Sequence, residues 1–414
     1  MRICLISPGH LSTNPRLVKE ARALQSAGHK VHVIYGRFKR WGTINDAHLV
    51  SGLDSVTHVP FGPTEAARGT YLRQNLICRG ARVPVRFGLK LQAIVEAAHG
   101  PIVRDLNAAA QAVHADLYIA HYIAALPAAA RAAARHNARY AFDAEDFHLG
   151  DMPDIPSNAL EKQIIREIEE RYLPGTAYVT AASPLIAEAY VDAYRIPKPK
   201  VILNVFPKKN APAAPTQCGS AKPSPSVYWF SQTIGPGRGL EIAIEAIAHA
   251  KSSPHLHLRG NAAAGYQDHL HELALHHGVD HRLHFLDPAP PDDLERLGTQ
   301  YDLGYSGETG FSANNLRALS NKIFSYLISG LPCLAADTPA HRQIAPELGY
   351  AMTLFPIGDA ASLATAMDKL LLDPEMLASA RSHAWNLGQT RFNWETEQSG
   401  LLSIVSSGVT DAHL

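Results

Sequence analysis

The sequence has no excess of either charge and contains few cysteines. Lys plus Arg and Asp plus Glu each number 38 among the 414 residues, so the formal net charge is zero. A protein that binds duplex nucleic acid must neutralise many phosphates, so this balance argues against a nucleic-acid partner. The four cysteines lie far apart and include no CxxC pair, which excludes a disulfide framework and a zinc knuckle.

The sequence also lacks long apolar segments. The longest uncharged apolar runs, at 173–187 and 323–336, are too short to span a bilayer. The opening MRICLISPGH has too few apolar residues before its Pro-Gly turn to form a secretory signal. We therefore expect a cytoplasmic protein that meets a membrane, if at all, peripherally at its inner face.

The composition that remains is that of a folded protein. Hydrophobic residues make up 46% of the chain and charged residues 18%, which excludes a disordered chain. At about 100–200 residues per domain, this length favours two domains. A Pro-rich segment at 211–225 is the predicted linker between a first domain at 1–210 and a second at 226–388, and 389–414 forms a last helix.

Strand and helix signals alternate along the sequence. The apolar run Ile3–Ile6 predicts a buried strand, and Asn14 followed by Pro15 predicts the start of a helix. The turn between them has no GxGxxG motif, which argues against a nicotinamide or flavin dehydrogenase. Repetition of this order predicts an α/β fold with two Rossmann-like, doubly wound domains. The predicted strands are 3–6, 30–35, 117–120, 139–143, 177–181, 200–203, 227–230, 256–259 and 282–285.

Parallel sheets bind ligands outside the carboxyl ends of their strands, so the segments at those ends are the candidate sites. If the two domains face each other, these segments line one central cleft. In the first domain they carry Gly9, His10, His121, Glu145, Asp146 and Asn204. In the second domain they are 231–238, 259–261 and 308–322.

Two cationic positions in the second domain suit an anionic ligand. Ser320 and Gly330 delimit a predicted helix whose N-terminal amides and dipole, together with Lys322, favour a diphosphate. Arg238 lies in a glycine-rich turn, where the backbone can approach a ligand and a guanidinium can hold phosphate oxygens. The alternatives are an ordinary capped helix with a solvated lysine and a plain turn with a solvated arginine.

Acidic and histidine side chains are the candidates at the edge of the first sheet. Glu145 and Asp146 end an apolar strand, where a carboxylate can act as a general base or stabilise a cationic transition state. The alternative is a cap for the next helix. His10 and His121 are candidates for substrate contact, and the alternative is that both are satisfied loop or core histidines.

A stretch without acidic residues lies between Glu65 and Glu96. Within it, 68–90 mixes basic and apolar side chains, a pattern that suits an anionic membrane surface or a lipid-diphosphate acceptor. The alternative is a solvated helical face. The basic residues are Arg68, Arg73, Arg79, Arg82, Arg86 and Lys90.

Motifs along nearly the whole chain resemble, in order and spacing, those of the retaining glycosyltransferases of family 4 with the GT-B fold. The first-domain motifs are Thr13-Asn14-Pro15-Arg16 and Phe142-Asp143-Ala144-Glu145-Asp146-Phe147, followed by Ser183 and Asn204. The second-domain motifs are Arg238-Gly239-Leu240, Glu308, Asn315, Ser320-Asn321-Lys322-Ile323-Phe324, Gly330-Leu331-Pro332 and Phe392-Asn393-Trp394-Glu395.

The resemblance implies transfer of a hexose-type sugar, with retention, from a nucleotide diphosphate donor to a glycan or lipid-linked acceptor in polysaccharide or glycoconjugate biosynthesis. It implies no metal ion and no other cofactor, and the chain has no DxD triplet. It also implies that the last helix crosses back to the first domain. By position, the resemblance implies that Arg238 and Lys322 contact the diphosphate and that the backbone near Gly9 approaches the sugar and phosphate. The further predicted donor-binding residues are Gly239, Arg259, Asn261, Asn315, Asn321 and Ser325. The predicted catalytic residues are Glu145, Asp146 and Glu308, and the predicted acceptor-side or sugar-side residues are His10, Asn14 and His121.

Three departures from the family pattern keep alternatives open. Many relatives place two glutamates around the donor helix where this chain has Arg317 and Ser325. Many carry histidine in place of Glu145, and glycine and arginine in place of residues around 230–232. The first alternative is a non-catalytic relative that binds a sugar nucleotide or a partner enzyme as a scaffold. A GT-B epimerase is another, and product analysis with and without acceptor separates it from a transferase.

Overall fold

The chain divides into two compact units. The computed structural model describes residues 1–215 and 224–410, with side chains described as far as residue 407. Unit 1 comprises Met1–Ile202 and the chain from Gln398 onward, and unit 2 comprises Leu203–Glu397. Residues 203–210, given to the first domain by the sequence prediction, belong to unit 2, where Asn210 Nδ2 donates to Glu295 Oε2 at 3.0 Å. Of the predicted linker, residues 216–223 lie outside the described part of the chain.

Unit 1 is built on a parallel sheet with the strand order β3-β2-β1-β4-β5-β6-β7. Its strands are β1 Arg2–Ser7, β2 Lys30–Arg37, β3 Ser55–Pro60, β4 Leu117–His121, β5 Arg139–Ala144, β6 Val179–Ala181 and β7 Lys200–Val201. Its helices are α1 Pro15–Ser26, α2 Arg40–Val50, α3 Arg68–Arg86, α4 Gln92–His99, α5 Val103–Ala112, α6 Leu126–His136, α7 Ala159–Tyr172 and α8 Pro184–Tyr194.

Unit 2 has a second parallel sheet, with the order β10-β9-β8-β11-β12-β13. Its strands are β8 Ser226–Ile234, β9 His255–Ala262, β10 Leu283–Leu286, β11 Leu303–Ser306, β12 Cys333–Ala336 and β13 Met352–Phe355. Its helices are α9 Leu240–His249, α10 Tyr266–His276, α11 Leu294–Gly298, α12 Ala313–Arg317, α13 Asn321–Ser329, α14 Pro339–Leu348, α15 Ala360–Leu371 and α16 Pro374–Thr390. The last helix, α17 Trp394–Thr410, begins in unit 2 and belongs to unit 1 from Gln398 onward.

The cores of both units follow from their apolar strands. Leu5 and Val33 are fully buried in unit 1, because helices cover both faces of a parallel sheet. Val405, on the last helix α17, belongs to the same buried apolar cluster as Leu5 and Val33. In unit 2, Leu258 on β9 and Leu303 on β11 are fully buried. The predicted fold class, two doubly wound α/β units, is confirmed.

The strand bounds differ from the prediction at a few places. β8 and β9 continue to Ile234 and Ala262, so Asn261 lies within a strand, opposite Thr233, and not in a loop. The sequence prediction contains no strand at β11, β12, β13 or β3. In β3 only Val59 is buried, and the sequence of this strand carries no apolar pattern. Pairing with β2 makes it a strand.

Each sheet has a point where the order of strand addition reverses. These points lie between β1 and β4 in unit 1 and between β8 and β11 in unit 2. Helices leaving the two strands go to opposite faces of the sheet, which opens a crevice at the carboxyl ends. The segments that follow these four strands are therefore where a ligand is expected to bind.

Candidate active site

The glycine-rich turn after β8 is held tightly against the loop after β11. Gly239 has φ +67°, and a Cβ placed on it would lie 2.3 Å from the carbonyl oxygen of Gly307. The hydroxyl of Tyr305, on β11, donates to the Gly239 carbonyl oxygen at 2.6 Å. Only glycine fits this conformation and this spacing. The turn therefore has a fixed course, and it carries Arg238 with its side chain exposed.

Lys322 is a buried cation at the start of α13. The residue is only 7% exposed. Its Nζ donates to Ser320 Oγ at 3.3 Å and lies 5.7 Å from the centre of the Trp229 ring. Burial lowers the pKa of Lys322, the charge of Glu308 opposes that effect, and the charge of Arg238 adds to it. The two cations and this glutamate thus share one electrostatic environment.

Glu308, in the loop after β11, is held as a carboxylate. Burial by itself would raise its pKa, but the charges of Lys322 and His341 and a hydrogen bond from Ser306, at 2.9 Å, lower it overall. An ionised carboxylate accepts hydrogen bonds and donates none. Glu308 therefore suits hydroxyl groups of a ligand and repels its phosphates.

Ser325, in the middle of α13, forms a side-chain hydrogen bond with α11. The side chain is buried, and its hydroxyl donates to Glu295 Oε1 at 2.8 Å. Glu295 lies on α11 and is fully buried. Sequence reasoning missed Glu295, because a glutamate near the start of a short polar helix has the pattern of a solvated residue. Glu295 thus places a carboxylate against the side chain of Ser325.

The other predicted donor-side residues fall into two groups. Arg259 donates to the Tyr228 hydroxyl at 3.0 Å and to the Asp287 carbonyl at 2.7 Å, and Asn315 Oδ1 accepts from Gly310 N at 2.7 Å. These two residues hold loops in place. Asn261 and Asn321 are exposed, one on β9 and one at the first position of α13.

His10, after β1, is enclosed by its own unit. It is fully buried, with Nδ1 2.7 Å from Asp46 Oδ2. Its Nε2 lies 3.1 Å from the backbone nitrogens of both Phe38 and Lys39. Because Nε2 accepts from these N–H groups, we assign the ring proton to Nδ1. The side chain of His10 thus orders the loop after β2.

The neighbouring residues Gly9 and Asn14 complete the loop after β1. Gly9 is partly exposed, and its N–H donates to Ser7 Oγ at 3.3 Å. Asn14 is buried and caps α1 as predicted, accepting from Leu17 N at 3.0 Å. Asn14 Nδ2 has no hydrogen-bond partner within 1–215 and 224–410.

His121, at the end of β4, is part of a buried charge network. It is 1% exposed, with Nε2 2.8 Å from Glu20 and Nδ1 3.2 Å from Asp143. Burial favours the neutral ring, but Asp143 and Glu20 outweigh this effect and raise the pKa of His121 to about 9. Asp143 also accepts two hydrogen bonds from Arg16, at 2.7 and 2.8 Å, and one from Thr180 at 2.6 Å. The network joins β4, β5, β6 and α1.

Glu145 and Asp146 are partly exposed beyond the end of β5. The phenol of Tyr122, just after β4, donates to Glu145 Oε2 at 3.3 Å. Burial and the charge of Asp146 raise the pKa of Glu145, and Arg16 partly offsets this. Sequence reasoning missed Tyr122, because an aromatic residue after a strand carries no signal of such a contact.

Exposed side chains on α3 form a surface of mixed character. Leu72, Leu76 and Val83 on α3, and Phe87 directly after it, repeat at helical spacing, and Phe87 is 86% exposed. Arg68, Arg79 and Arg86 lie on the same face and make no ion pair with other described residues. We call these seven residues the α3 surface. Arg73, Arg82 and Lys90, in contrast, pair with Asp105, Glu161 and Glu167.

No helix within 1–215 and 224–410 is both long and apolar enough to cross a membrane. Among the same residues, no group of three or more His, Cys, Asp or Glu is arranged to hold a metal ion.

Residues 13–204 match the model of the Glycosyl transferase 4-like domain. The D-inositol 3-phosphate glycosyltransferase of Nocardia farcinica is 29% identical over 279 residues, and that of Mycobacterium ulcerans is 26% identical over 276. These matches cover 64% and 63% of this chain, but only 58% and 56% of the two relatives. The chain thus matches little more than half the length of these curated proteins.

Solved structures resemble the chain over its whole length. HepE of Anabaena, in complex with UDP and glucose, is 19% identical, with a TM-score of 0.71, and 98% of this chain and 100% of HepE are covered. Sucrose-phosphate synthase from Thermosynechococcus elongatus is 15% identical, with a TM-score of 0.75 and full coverage of both chains. At such identities the likeness concerns the fold, which is the GT-B fold that the sequence predicts.

Proposed function

We propose that the chain is a family 4-like glycosyltransferase that transfers a sugar from a nucleotide diphosphate donor to an acceptor, because residues 13–204 match the Glycosyl transferase 4-like domain and solved glycosyltransferase structures share its fold. One observation carries this proposal. At the point where strand order reverses in the second sheet, buried Lys322 and exposed Arg238 share an electrostatic environment beside a rigid glycine turn. Such a site suits a diphosphate.

The chemistry follows from where charge develops. As the bond between sugar and diphosphate breaks, negative charge builds on the leaving group, and Lys322 and Arg238 stabilise it. Ionised Glu308 accepts hydrogen bonds from sugar hydroxyls. Glu145, with Asp146, accepts the proton of the attacking hydroxyl or stabilises the cationic transition state. The two cations supply what a metal ion supplies elsewhere, so neither a metal nor another cofactor is part of the proposal.

We also propose the class of sugar donor and the stereochemistry of transfer at the anomeric carbon. The complexes of HepE with UDP and with UDP-glucose support a uridine diphosphate sugar as the first donor to test. The family resemblance supports a hexosyl group transferred with retention. Nuclear magnetic resonance of the first-formed product tests retention, since inversion at the anomeric carbon contradicts it. Unchanged rates after treatment with a chelator test the absence of a metal.

A panel of nucleotide sugars tests the central proposal. We expect one uridine, guanosine or thymidine diphosphate sugar to raise the melting temperature and to be slowly hydrolysed. Lys322→Met should weaken this response at least about tenfold, because it removes a charge next to the diphosphate. Lys369→Met, at an exposed position on α15, is the matched control and should behave like the unaltered protein. No response to any donor, with or without candidate acceptors, contradicts the proposal.

The contact between Ser325 and Glu295 favours a second candidate function. The Glu295 carboxylate already accepts a hydrogen bond from Ser325 on α13, the predicted donor helix. This arrangement fits a protein that binds a sugar nucleotide and does not turn it over. Such a protein shows the thermal shift with a donor but neither hydrolysis nor transfer. Turnover that is lost in Glu145→Gln or Lys322→Met excludes it.

We also propose that the α3 surface rests on an anionic bilayer and brings the enzyme to a lipid-linked acceptor. Its apolar side chains enter the headgroup region, while Arg68, Arg79 and Arg86 complement anionic lipids. The exposure of Leu76 and Phe87, 71% and 86%, and the spacing of the stripe support a contact surface over a merely solvated face.

Vesicle sedimentation tests this second proposal. The protein should bind vesicles that contain phosphatidylglycerol, and not vesicles of phosphatidylcholine alone. Leu76→Ser combined with Phe87→Ser should reduce binding at least about tenfold, since each apolar side chain contributes roughly 1.5–3 kcal/mol when buried. Leu275→Ser, at an exposed position on α10, is the control. Equal binding by the double variant, or none by the unaltered protein, contradicts the proposal.

A further inference from the structure

The backbone at Tyr122 is strained at the carboxyl edge of the first sheet. Its φ is +67° and its ψ is 158°, a region that glycine alone adopts readily. Asn137 and Arg195 also have positive φ, but they end α6 and α8 in the ordinary left-handed conformation. Tyr122 follows a strand and ends no helix. A bulky residue keeps such a conformation only where its surroundings hold it.

The side chain shows what this conformation achieves. The Tyr122 phenol reaches Glu145, and the two residues leave β4 and β5, which are paired neighbours. Its ring packs edge-on against buried His148, with 6.2 Å between ring centres. Buried residues flank Tyr122 in the sequence, whereas Tyr122 and Glu145 are both partly exposed. The strained turn thus brings a hydroxyl to a carboxylate at the edge of the sheet where ligands are expected.

We propose that Tyr122 is a positioning residue for Glu145, which holds the carboxylate in one orientation at this edge through its phenol hydrogen bond. The inference rests on the role given to Glu145 in the proposed function. It also explains why a strained tyrosine persists, since a glycine would relieve the strain but would lose the hydroxyl.

The protonation of the pair is consistent with this direction of donation. The charge of Glu145, and then burial, raise the pKa of Tyr122 well above its ordinary value, so the phenol keeps its proton. A hydrogen bond donated to a carboxylate favours the ionised form. Removal of the hydroxyl should therefore raise the pKa of Glu145 further. The charged groups that act on Glu145 are Arg16 on α1, His121 on β4, Asp143 on β5 and the adjacent Asp146.

Tyr122→Phe is the test, because it keeps the ring and removes only the hydroxyl. In protein labelled with ¹³C-glutamate, the carboxyl signal of Glu145, assigned with Glu145→Gln, should titrate at higher pH in the variant. With a donor and acceptor in hand, kcat should fall about tenfold, the equivalent of one hydrogen bond to a charged group, with KM unchanged. The acidic limb of the pH–rate profile should move to higher pH.

Tyr140→Phe is the matched control, since its hydroxyl donates to the carbonyl of Tyr172 at 2.7 Å, away from Glu145. It should leave the titration of Glu145 and the pH–rate profile unchanged. Circular dichroism confirms that each variant is folded. An unchanged titration of Glu145 in folded Tyr122→Phe overturns the inference. The titration needs no activity, so its outcome is separate from the success of the proposed transferase function.

Discussion

The carboxyl edges of the two sheets use charge in opposite ways. In unit 1, Asp143 pairs with both Arg16 and His121, and all three side chains are buried. In unit 2, Lys322 and Arg238 make no ion pair within the described residues, although the first of them is buried. A charge in a buried pair is already compensated and its partner cannot be removed without destabilising the fold, whereas an unpaired cation at a helix N-terminus is available to an anion. The difference separates the structural polar residues from those that suit a ligand.

Removing one partner from the network of unit 1 should have the largest effect. Asp143→Asn leaves Arg16 without a charged partner in the core, so the free energy of unfolding should fall by about 3–5 kcal/mol. Asp116→Asn is the control, because the Arg2–Asp116 pair is exposed and contributes at most about 1 kcal/mol. Urea unfolding measures both. Similar losses in the two variants contradict a distinction between buried and exposed pairs.

The same network should make stability depend on pH. His121 has its pKa raised to about 9, above the unfolded value near 6.5. Its contribution is therefore complete below pH 6.5 and is lost as pH rises through about 9. We expect this loss to be on the order of 3 kcal/mol, measured as the difference between the unaltered protein and His121→Gln in urea unfolding at pH 6 and pH 9.5. A difference that does not change with pH contradicts the charged state of His121.

In unit 2, the glycine turn should be sensitive to a single methyl group. Gly239→Ala places a Cβ 2.3 Å from the Gly307 carbonyl oxygen at φ +67°, so we expect the free energy of unfolding to fall by about 2 kcal/mol or more. Gly278→Ala has φ +68° but meets no neighbouring atom within 4 Å, so only the backbone strain of about 1 kcal/mol applies. Thermal unfolding separates the two. Equal losses show that the close approach at Gly239 is unimportant.

The smallest effect is expected at Ser325. Ser325→Ala removes one hydrogen bond from the buried carboxylate of Glu295, for a loss of about 1–2 kcal/mol. The control is Thr390→Ala. The exposed hydroxyl of Thr390 donates to the Asn386 carbonyl, and its removal should change the free energy of unfolding by less than about 0.5 kcal/mol. Donor affinity should also be measured in Ser325→Ala. An unchanged stability contradicts the assigned hydrogen bond.

Local features of the fold were predictable from the sequence, because each depends on residues within one turn. Asn14 and Ser183 cap α1 and α8 as their positions before proline indicate. Gly28, with φ +83°, follows the last turn of α1. Ser320 precedes α13, but its side chain makes no capping bond and instead accepts from Lys322. The position of Ser320 before α13 was predictable from the sequence, but its contact with Lys322 was not.

The sequence by itself determined the two α/β units and placed Lys322 and Arg238 at candidate anion sites. Apolar periodicity and glycine turns act over a few residues, so they are visible in a single stretch of chain. Only the tertiary structure decided which polar residues are already paired. His121 meets Glu20 and Asp143, and Ser325 meets Glu295, across separations of many residues. Whether a charge is paired or available depends on what folding brings beside it, and no local pattern records that.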